Sequence, residues 1–176
     1  MTELLEDDVA VRLFCSFRTQ GRLYGIDAAQ VREISTQVTC TPVPQAPLAV
    51  RGLANLRSRI FLVVDIRPAL GLEPAKCTSE SRLIVLKPHL CEDLGILVEE
   101  GGDIIRVSAG QIEAAAQSGQ ATPQASALAP RAGGAVTDSS GDRPSMVTAG
   151  VCKLENELMT IVDSLRVVES VKALMH

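Results

Sequence analysis

The chain of 176 residues is long enough for one substantial core or two small ones packed together, and its 17 basic and 21 acidic side chains leave a formal charge of −4. That balance, without a long basic run and with only 2% aromatic residues, argues against both the electrostatic footprint and the stacking surfaces of a nucleic-acid binder. With 46% hydrophobic residues and so few rings, the core has to be built from Val, Leu, Ile and Ala, which pack well in sheets.

Residues 1–10 are acidic and aperiodic, the pattern of a flexible tail, and they lack the basic and apolar regions of a signal peptide. No apolar run approaches the roughly 18 residues that span a bilayer, so the chain is expected in the cytoplasm without direct membrane insertion. From Val11 the pattern becomes that of a hairpin: Leu13, Cys15 and Phe17 alternate with Arg12, Phe14, Ser16 and Arg18, Gln20-Gly21 turns the chain, and Leu23 to Ile26 returns. Asp27 can cap a single helical turn, and Val31 to Ile34 then alternates as a strand. Residues 41–47 hold Pro42, Pro44 and Pro47, which cannot donate to a ladder, so an extended surface loop is expected there.

The longest uninterrupted reading is 47–72: a strand near 50–56, a tight turn at 57–59, and a second strand at 60–65. Asp65 is then placed to cap a short helical turn, with Pro68 in its first turn and Gly71 at its end. SRLIVLK at 81–87 is a nearly continuous apolar run, as expected of a strand covered on both faces. Strands follow at 94–98 and 103–107, with Gly101-Gly102 read as the turn between them and Ser108 as a possible cap. Residues 114–145 are rich in Ala, Gly, Ser, Gln and Pro with almost no large apolar side chain, and are expected to form a disordered insertion rather than a domain boundary. A hairpin pattern resumes over 146–162, and from Asp163 the residues Leu165, Val168, Val171 and Leu174, with Val167 and Met175, suggest a C-terminal helix at 163–176 with one apolar face. Nine or ten short strands and one helix indicate a mainly β sandwich or barrel.

Candidate chemistry is sparse. His89 and His176 are the only histidines and give no nucleophile–base arrangement, so no catalytic residue is assigned. Five cysteines, at 15, 40, 77, 91 and 152, are odd in number and contain no CxxC pair, which points to free thiols rather than disulfides or a zinc site. No metal or other cofactor is implied. Glu99-Glu100 would point to opposite faces of a strand, and Gly101-Gly102 lacks the ending of a phosphate loop.

Residues 51–72, RGLANLRSRIFLVVDIRPALGL, resemble the signature of CheW-like domains, in which a basic residue and a glycine precede an Asn-Leu-Arg-Gly turn, a buried strand and an Asp-Leu-Arg helix start. FRTQGRLYGID at 17–27 and GILVEEGGDIIRVSAGQI at 95–112 resemble the opening and the second half of such domains. Ser58 stands where the family usually has glycine, a departure that strains the turn if it needs positive φ. The resemblance implies two intertwined five-stranded SH3-like β-barrels within 11–170, with short helical turns, a C-terminal helix, and the last hairpin packed back on the first barrel. It also implies a non-enzymatic adaptor in chemotaxis, phototaxis or pilus motility, located at membrane-associated receptor arrays. Its implied partners are the regulatory domain of a CheA-type histidine kinase and the cytoplasmic tip of methyl-accepting receptors.

The implied partner-binding positions are Val31, Glu33, Arg51, Gly52, Asn55, Leu56, Arg57 and Val98. Without the resemblance, Glu33 and Arg57 read as an exposed ion pair worth about 0–1 kcal/mol, and the apolar positions as core. The alternative function is a stand-alone barrel that binds a small ligand, or a thiol-dependent enzyme using Cys91 or Cys152. The composition of 114–145 yields a first test: replacing 118–143 by a short Gly/Ser linker should leave the melting temperature nearly unchanged, since loop length adds closure entropy only logarithmically. A drop of many degrees would show that the segment is packed.

Overall fold

A computed structural model describes residues 10–36, 38–74, 76–114 and 146–175. The tail expected at 1–10 lies outside the described residues except for Ala10, as do residues 115–145 of the expected insertion and His176.

Strands β1 (Val11–Thr19) and β2 (Arg22–Asp27) form the expected hairpin, with Gln20 and Gly21 at φ 50° and 74° in its turn. Two positive angles define the turn whose twist matches that of the flanking strands. Asp27 accepts the amide of Ala29 at 2.9 Å and starts the 3-10 turn Ala28–Gln30, which delivers the chain to β3 (Val31–Ser35). The two-residue β4 (Cys40–Thr41) pairs with β5 (Val50–Leu56), so the proline loop is shorter than expected: the prolines begin at Pro42, and Thr41 still belongs to the ladder. Strand β6 (Arg59–Asp65) returns from β5 in the expected place, followed by the 3-10 turn Pro68–Leu70, which Gly71 ends at φ 74°.

Next come β7 (Arg82–Leu86), β8 (Leu94–Val98) and β9 (Glu100–Ser108), and here one expectation is corrected. Gly101 and Gly102 are not a turn but a bulge inside β9: Ser16 pairs with Asp103 and Phe17 with Gly101, leaving Gly102 over. A Cβ on Gly101 would lie 2.6 Å from Phe17 Cα, so glycine is needed for the backbones to approach. The chain passes from one sheet to the other at Glu99, between β8 and β9. After β10 (Ile112–Ala114), β11 (Thr148–Lys153) and β12 (Leu158–Val162) form the last hairpin, and Asp163 caps helix α1 (Ser164–Leu174) by accepting the amides of Leu165 and Arg166. The buried face of α1 is Ser164, Val167, Val168 and Val171, whereas Leu165, Leu174 and Met175 are half-exposed. A strict three-residue step drifts around a helix of 3.6 residues per turn, which is why the ends of the expected apolar series leave the core.

The strands make two sheets of six, in the orders β10-β11-β12-β2-β1-β9 and β4-β5-β6-β8-β7-β3. Each is built from two three-stranded antiparallel halves, a hairpin with one edge strand, joined by one parallel pair, β12 with β2 and β6 with β8. The last hairpin therefore packs back onto the first, as expected, and the fold is mainly β with strands exchanged between its halves.

The two sheets repeat each other in detail. Gly52 in β5 and Gly150 in β11 each sit at a register shift, where a Cβ would run into the carbonyl oxygen of Thr41 or Glu113 in the neighbouring edge strand. Gly95 and Gly25 occupy matching places in the parallel pairs, opposite Val63 and Ile161. The amides of Asp65 and Asp163 donate to the carbonyls of Ala49 and Val147, 2.7 and 2.8 Å away.

Alternation along the strands divides the apolar residues into three clusters. Phe61, Val63, Leu83, Val85 and Leu97 fill the second sheet's own core, and Phe14, Val107, Cys152, Met159 and Ile161 that of the first. A sheet face covered only by its own strands has to curl over itself, as in a small barrel. The largest cluster lies between the sheets, where Cys15, Phe17, Tyr24 and Ile26 meet Ile84, Leu86, Leu94, Ile96 and Val98, with α1 across one end. Strands β7 and β8 are thus apolar on both faces because one face closes their own core and the other meets the opposite sheet.

All five cysteines are unpaired, and burial together with the charge of Asp103 pushes the Cys15 thiol up to about 11, while burial also raises that of Cys152. Native protein at pH 8 should therefore expose the surface thiol of Cys77 to a disulfide reagent and protect Cys15 and Cys152, with all five titrating in denaturant. Rapid native labelling of Cys15 or Cys152 would contradict this packing.

Candidate functional site

The β5–β6 hairpin ends in the same kind of turn as β1–β2, with Arg57 and Ser58 at φ 51° and 67°. Where the first hairpin has Gly21, this one has Ser58, and an L-residue in that conformation costs about 1 kcal/mol. The turn holds Arg57 outward, its side chain 87% exposed, while the preceding Leu56 is turned into the core of the second sheet. Glu33 lies on β3 opposite Val85, which belongs to that same core, and directly opposed residues share a face. Glu33 therefore sits at the rim of this core, and its Oε2 lies 3.1 Å from Nη1 of Arg57. The two site residues from distant parts of the chain are brought together as an ion pair across the rim, which at this exposure contributes little to stability.

The other sequence-derived positions separate by burial. Asn55 is exposed on β5 opposite Ile60. Val31 is half-buried against the central core, and Arg51 is half-buried at the β5 bulge, where its charge draws down the Cys40 thiol that burial and Cys77 push up. Gly52, Leu56 and Val98 are buried, and Val98, at 2% exposure in the central core, offers no side chain to a partner.

Sequence reasoning missed the strongest polar feature. Arg67 is 2% exposed and grips Asp65 with two parallel bonds, Nε to Oδ1 and Nη2 to Oδ2, both 2.8 Å. Its Nη1 reaches Oε1 of Glu99 at 3.0 Å, and Oε2 of Glu99 accepts the amide of Gln20 in the β1–β2 turn at 2.9 Å. Asp65 also accepts the Arg67 amide at 3.0 Å, so its role is to hold Arg67 more than to cap the helical turn, whose N-cap is Arg67 itself. Burial by itself would lower the pKa of Arg67, but the hydrogen bonds and charges of Asp65 and Glu99 outweigh it and hold the guanidinium above its ordinary value. The available signal was an acid and a base two residues apart at the end of an apolar strand, where neither belongs unless paired.

Among the described residues the thiols lack the surroundings of a reactive site. The Cys152 thiol is buried and raised rather than activated, and Cys91 packs against the central core with its thiol 3.7 Å from the carbonyl of its neighbour Glu92. Among the described residues no group of three or more His, Cys, Asp or Glu could hold a metal ion, and no helix is long and apolar enough to cross a membrane. A cavity of about 560 Å³ between the 3-10 turn at Pro68–Leu70 and α1 is lined almost wholly by apolar side chains, among them Ile66, Leu70, Val167 and Val171.

These features define a small strand-exchanged β protein whose candidate site is a charged surface at a hairpin tip rather than a reaction centre. The model of the CheW-like domain family matches residues 13–137, and the chain belongs to that family. It is 33% identical over 104 residues to the chemotaxis protein CheW of Bacillus subtilis, covering 59% of this chain and 66% of that one. Against the CheW of Rhizobium meliloti it is 32% identical, with 58% and 65% covered, and against protein PilI of Pseudomonas aeruginosa 30%, with 48% and 47% covered. The matched parts thus span less than two thirds of these relatives. The crystal structure of the scaffolding protein TtCheW from Thermoanaerobacter tengcongensis superposes with a TM-score of 0.63 over 86% of this chain and 88% of that one, at 22% identity, and shares the fold.

The two arginines of this region should differ in their response to truncation. Arg67→Ala leaves Asp65 buried without its partner and should lower the unfolding free energy by about 3–5 kcal/mol in urea titrations. A loss below about 1 kcal/mol would show that the pair is not needed to hold this junction.

Proposed function

We propose that the chain is a non-enzymatic signalling adaptor that couples methyl-accepting receptors to a CheA-type histidine kinase. The observation that carries this reading is the CheW-like match over residues 13–137, which takes in both hairpins of the second sheet and the first hairpin of the other. The likeness to chemotaxis proteins and to PilI supports an output in chemotaxis or pilus motility.

The mechanism is binding. One curled sheet meets the regulatory domain of the kinase, and the groove between the sheets, along β3 and β9, receives the helical tip of a receptor over an apolar floor within a polar rim. The working surface is Glu33, Asn55 and Arg57, flanked by Val31 and Arg51, while Gly52, Leu56 and Val98 shape it from below. Exposure of Arg57 supports its role, because an arginine offers a planar fork of donors and a stem for packing once a partner covers it. No cofactor is required.

Arg57→Ala should change stability by no more than about 0.5 kcal/mol, since it removes an exposed charge. Truncating an arginine at an interface centre commonly costs 2 kcal/mol or more, on the order of thirtyfold in affinity. Glu33→Lys should act in the same direction by setting a like charge beside Arg57. The receptor tip and the kinase regulatory domain are titrated separately, with circular dichroism as the folding control. Folded variants that bind both at wild-type strength would remove this surface from the interface.

A further inference from the structure

The ion pairs Arg12–Asp27, Arg18–Glu157 and Lys153–Glu113 stay within the first sheet, and Glu33–Arg57 and Arg59–Asp93 within the second. Glu99 differs, because its two carboxylate oxygens go to different sheets: Oε1 to Arg67 at the end of β6, and Oε2 to the Gln20 amide in the turn of β1–β2. It stands on the single residue between β8 and β9, where the chain crosses over. Two residues further on, the Gly101–Gly102 bulge lies against the backbone of Phe17, and a Cβ on Gly102 would come 3.7 Å from Cγ2 of Ile34, the neighbour of Glu33 on β3.

We propose that Glu99 is a positioning residue, a strut that ties the two sheets together at the crossing and thereby sets the spacing of β9 from β3. On the reading given under Proposed function, that spacing is the width of the groove offered to a helical partner. The strut is anchored at one end by a side chain that cannot shift: Arg67 is held bidentately by Asp65 in the protein interior. It is only partly screened at its own position, its side chain being 34% exposed.

The chemistry makes a sharp test. A carboxylate accepts on both oxygens, whereas a carboxamide accepts on its oxygen and donates from its nitrogen, and Arg67 and Gln20 both require an acceptor. In Glu99→Gln one of the two links must break, and the charged guanidinium keeps the remaining oxygen, so the Gln20 amide is released. Hydrogen exchange followed by NMR should show the Gln20 amide, and with it those of residues 100–103, exchanging at least about tenfold faster, with Ile84 and Ile96 unchanged. Affinity for the receptor tip should fall by about tenfold while the neighbouring Glu100→Gln leaves both readouts at wild-type values.

Unchanged exchange at Gln20 and 100–103 would overturn the proposal, and so would uniform acceleration at every amide, which would make Glu99 a contributor to global stability only. Local acceleration with receptor-tip affinity intact would sever the strut from the groove and overturn the functional half. If the wild-type chain binds neither partner while the local acceleration is seen, the adaptor reading fails and the strut between the sheets stands on the exchange result.

Discussion

An arginine only 2% exposed, as Arg67 is, is tolerated only if its charge and its donors are matched in place. Asp65 does most of this from two residues away, using one oxygen for Nε and the backbone amide and the other for Nη2. Glu99 completes it from the far end of β8. The geometry dictates several features around it: β6 must stop at Asp65, the chain must turn at Pro68–Leu70 with Gly71 in the left-handed region, and β8 must end alongside, where the Ile66 amide bonds the Leu97 carbonyl at 3.3 Å. Such a pair adds little net stability over an apolar replacement, but it penalises every arrangement in which the three groups are not brought together. What it supplies is register at the junction of the two sheets.

The repeat shows how the same plan is put to two uses. In both halves an aspartate stands at the end of the second strand of the bulged hairpin, Asp65 as its last residue and Asp163 just after it, donates its amide to a carbonyl before the first strand, and precedes a basic residue. In the second sheet the pair Asp65–Arg67 is buried and reaches across to Glu99, whereas in the first Asp163 and Arg166 are partly exposed and 3.5 Å apart, and the aspartate caps an α-helix. The matching core positions hold different residues of similar bulk, Phe61 against Met159 and Leu83 against Phe14, so the resemblance is carried by glycine placement and strand order more than by residue identity.

That is also why the repeat was illegible in sequence while most of the elements were legible. Hairpins with strong alternation and turn residues, such as 11–27 and 50–65, are found where their local pattern places them, because local preference and tertiary demand agree there. Gly101-Gly102 was misread because a glycine pair marks a turn and a bulge equally well, and only the approach of Phe17 from another part of the chain decides between them. Burial of Val98 and exposure of Leu165 were likewise set by which face meets the opposite sheet, a property of the assembled pair of sheets. For the candidate site, the sequence alone suggested Glu33 and Arg57 as an exposed ion pair, and the structure makes that contact between residues 24 positions apart (57 − 33), one on β3 and the other in the turn of a hairpin that does not neighbour it.

Two arginines ten residues apart (67 − 57) thus divide the work of this hairpin and its exit. Arg67 is buried and bonded to two carboxylates, so little of its surface is left for a partner. Arg57 is matched by one contact to Glu33 that solvent already weakens, and breaking or sharing that contact costs little. A side chain can serve as a strong anchor in an interface only if the free state does not already satisfy it, because only the surplus over the free state counts toward affinity. The strained turn adds to this contrast. Ser58 at φ 67° costs the hairpin about as much as a weak hydrogen bond contributes, and it closes a two-residue turn from which Arg57 projects. On the reading given under Proposed function, a short tip loses less conformational entropy on docking than a longer loop would, so part of the free energy stored in the turn is recovered as pre-organisation.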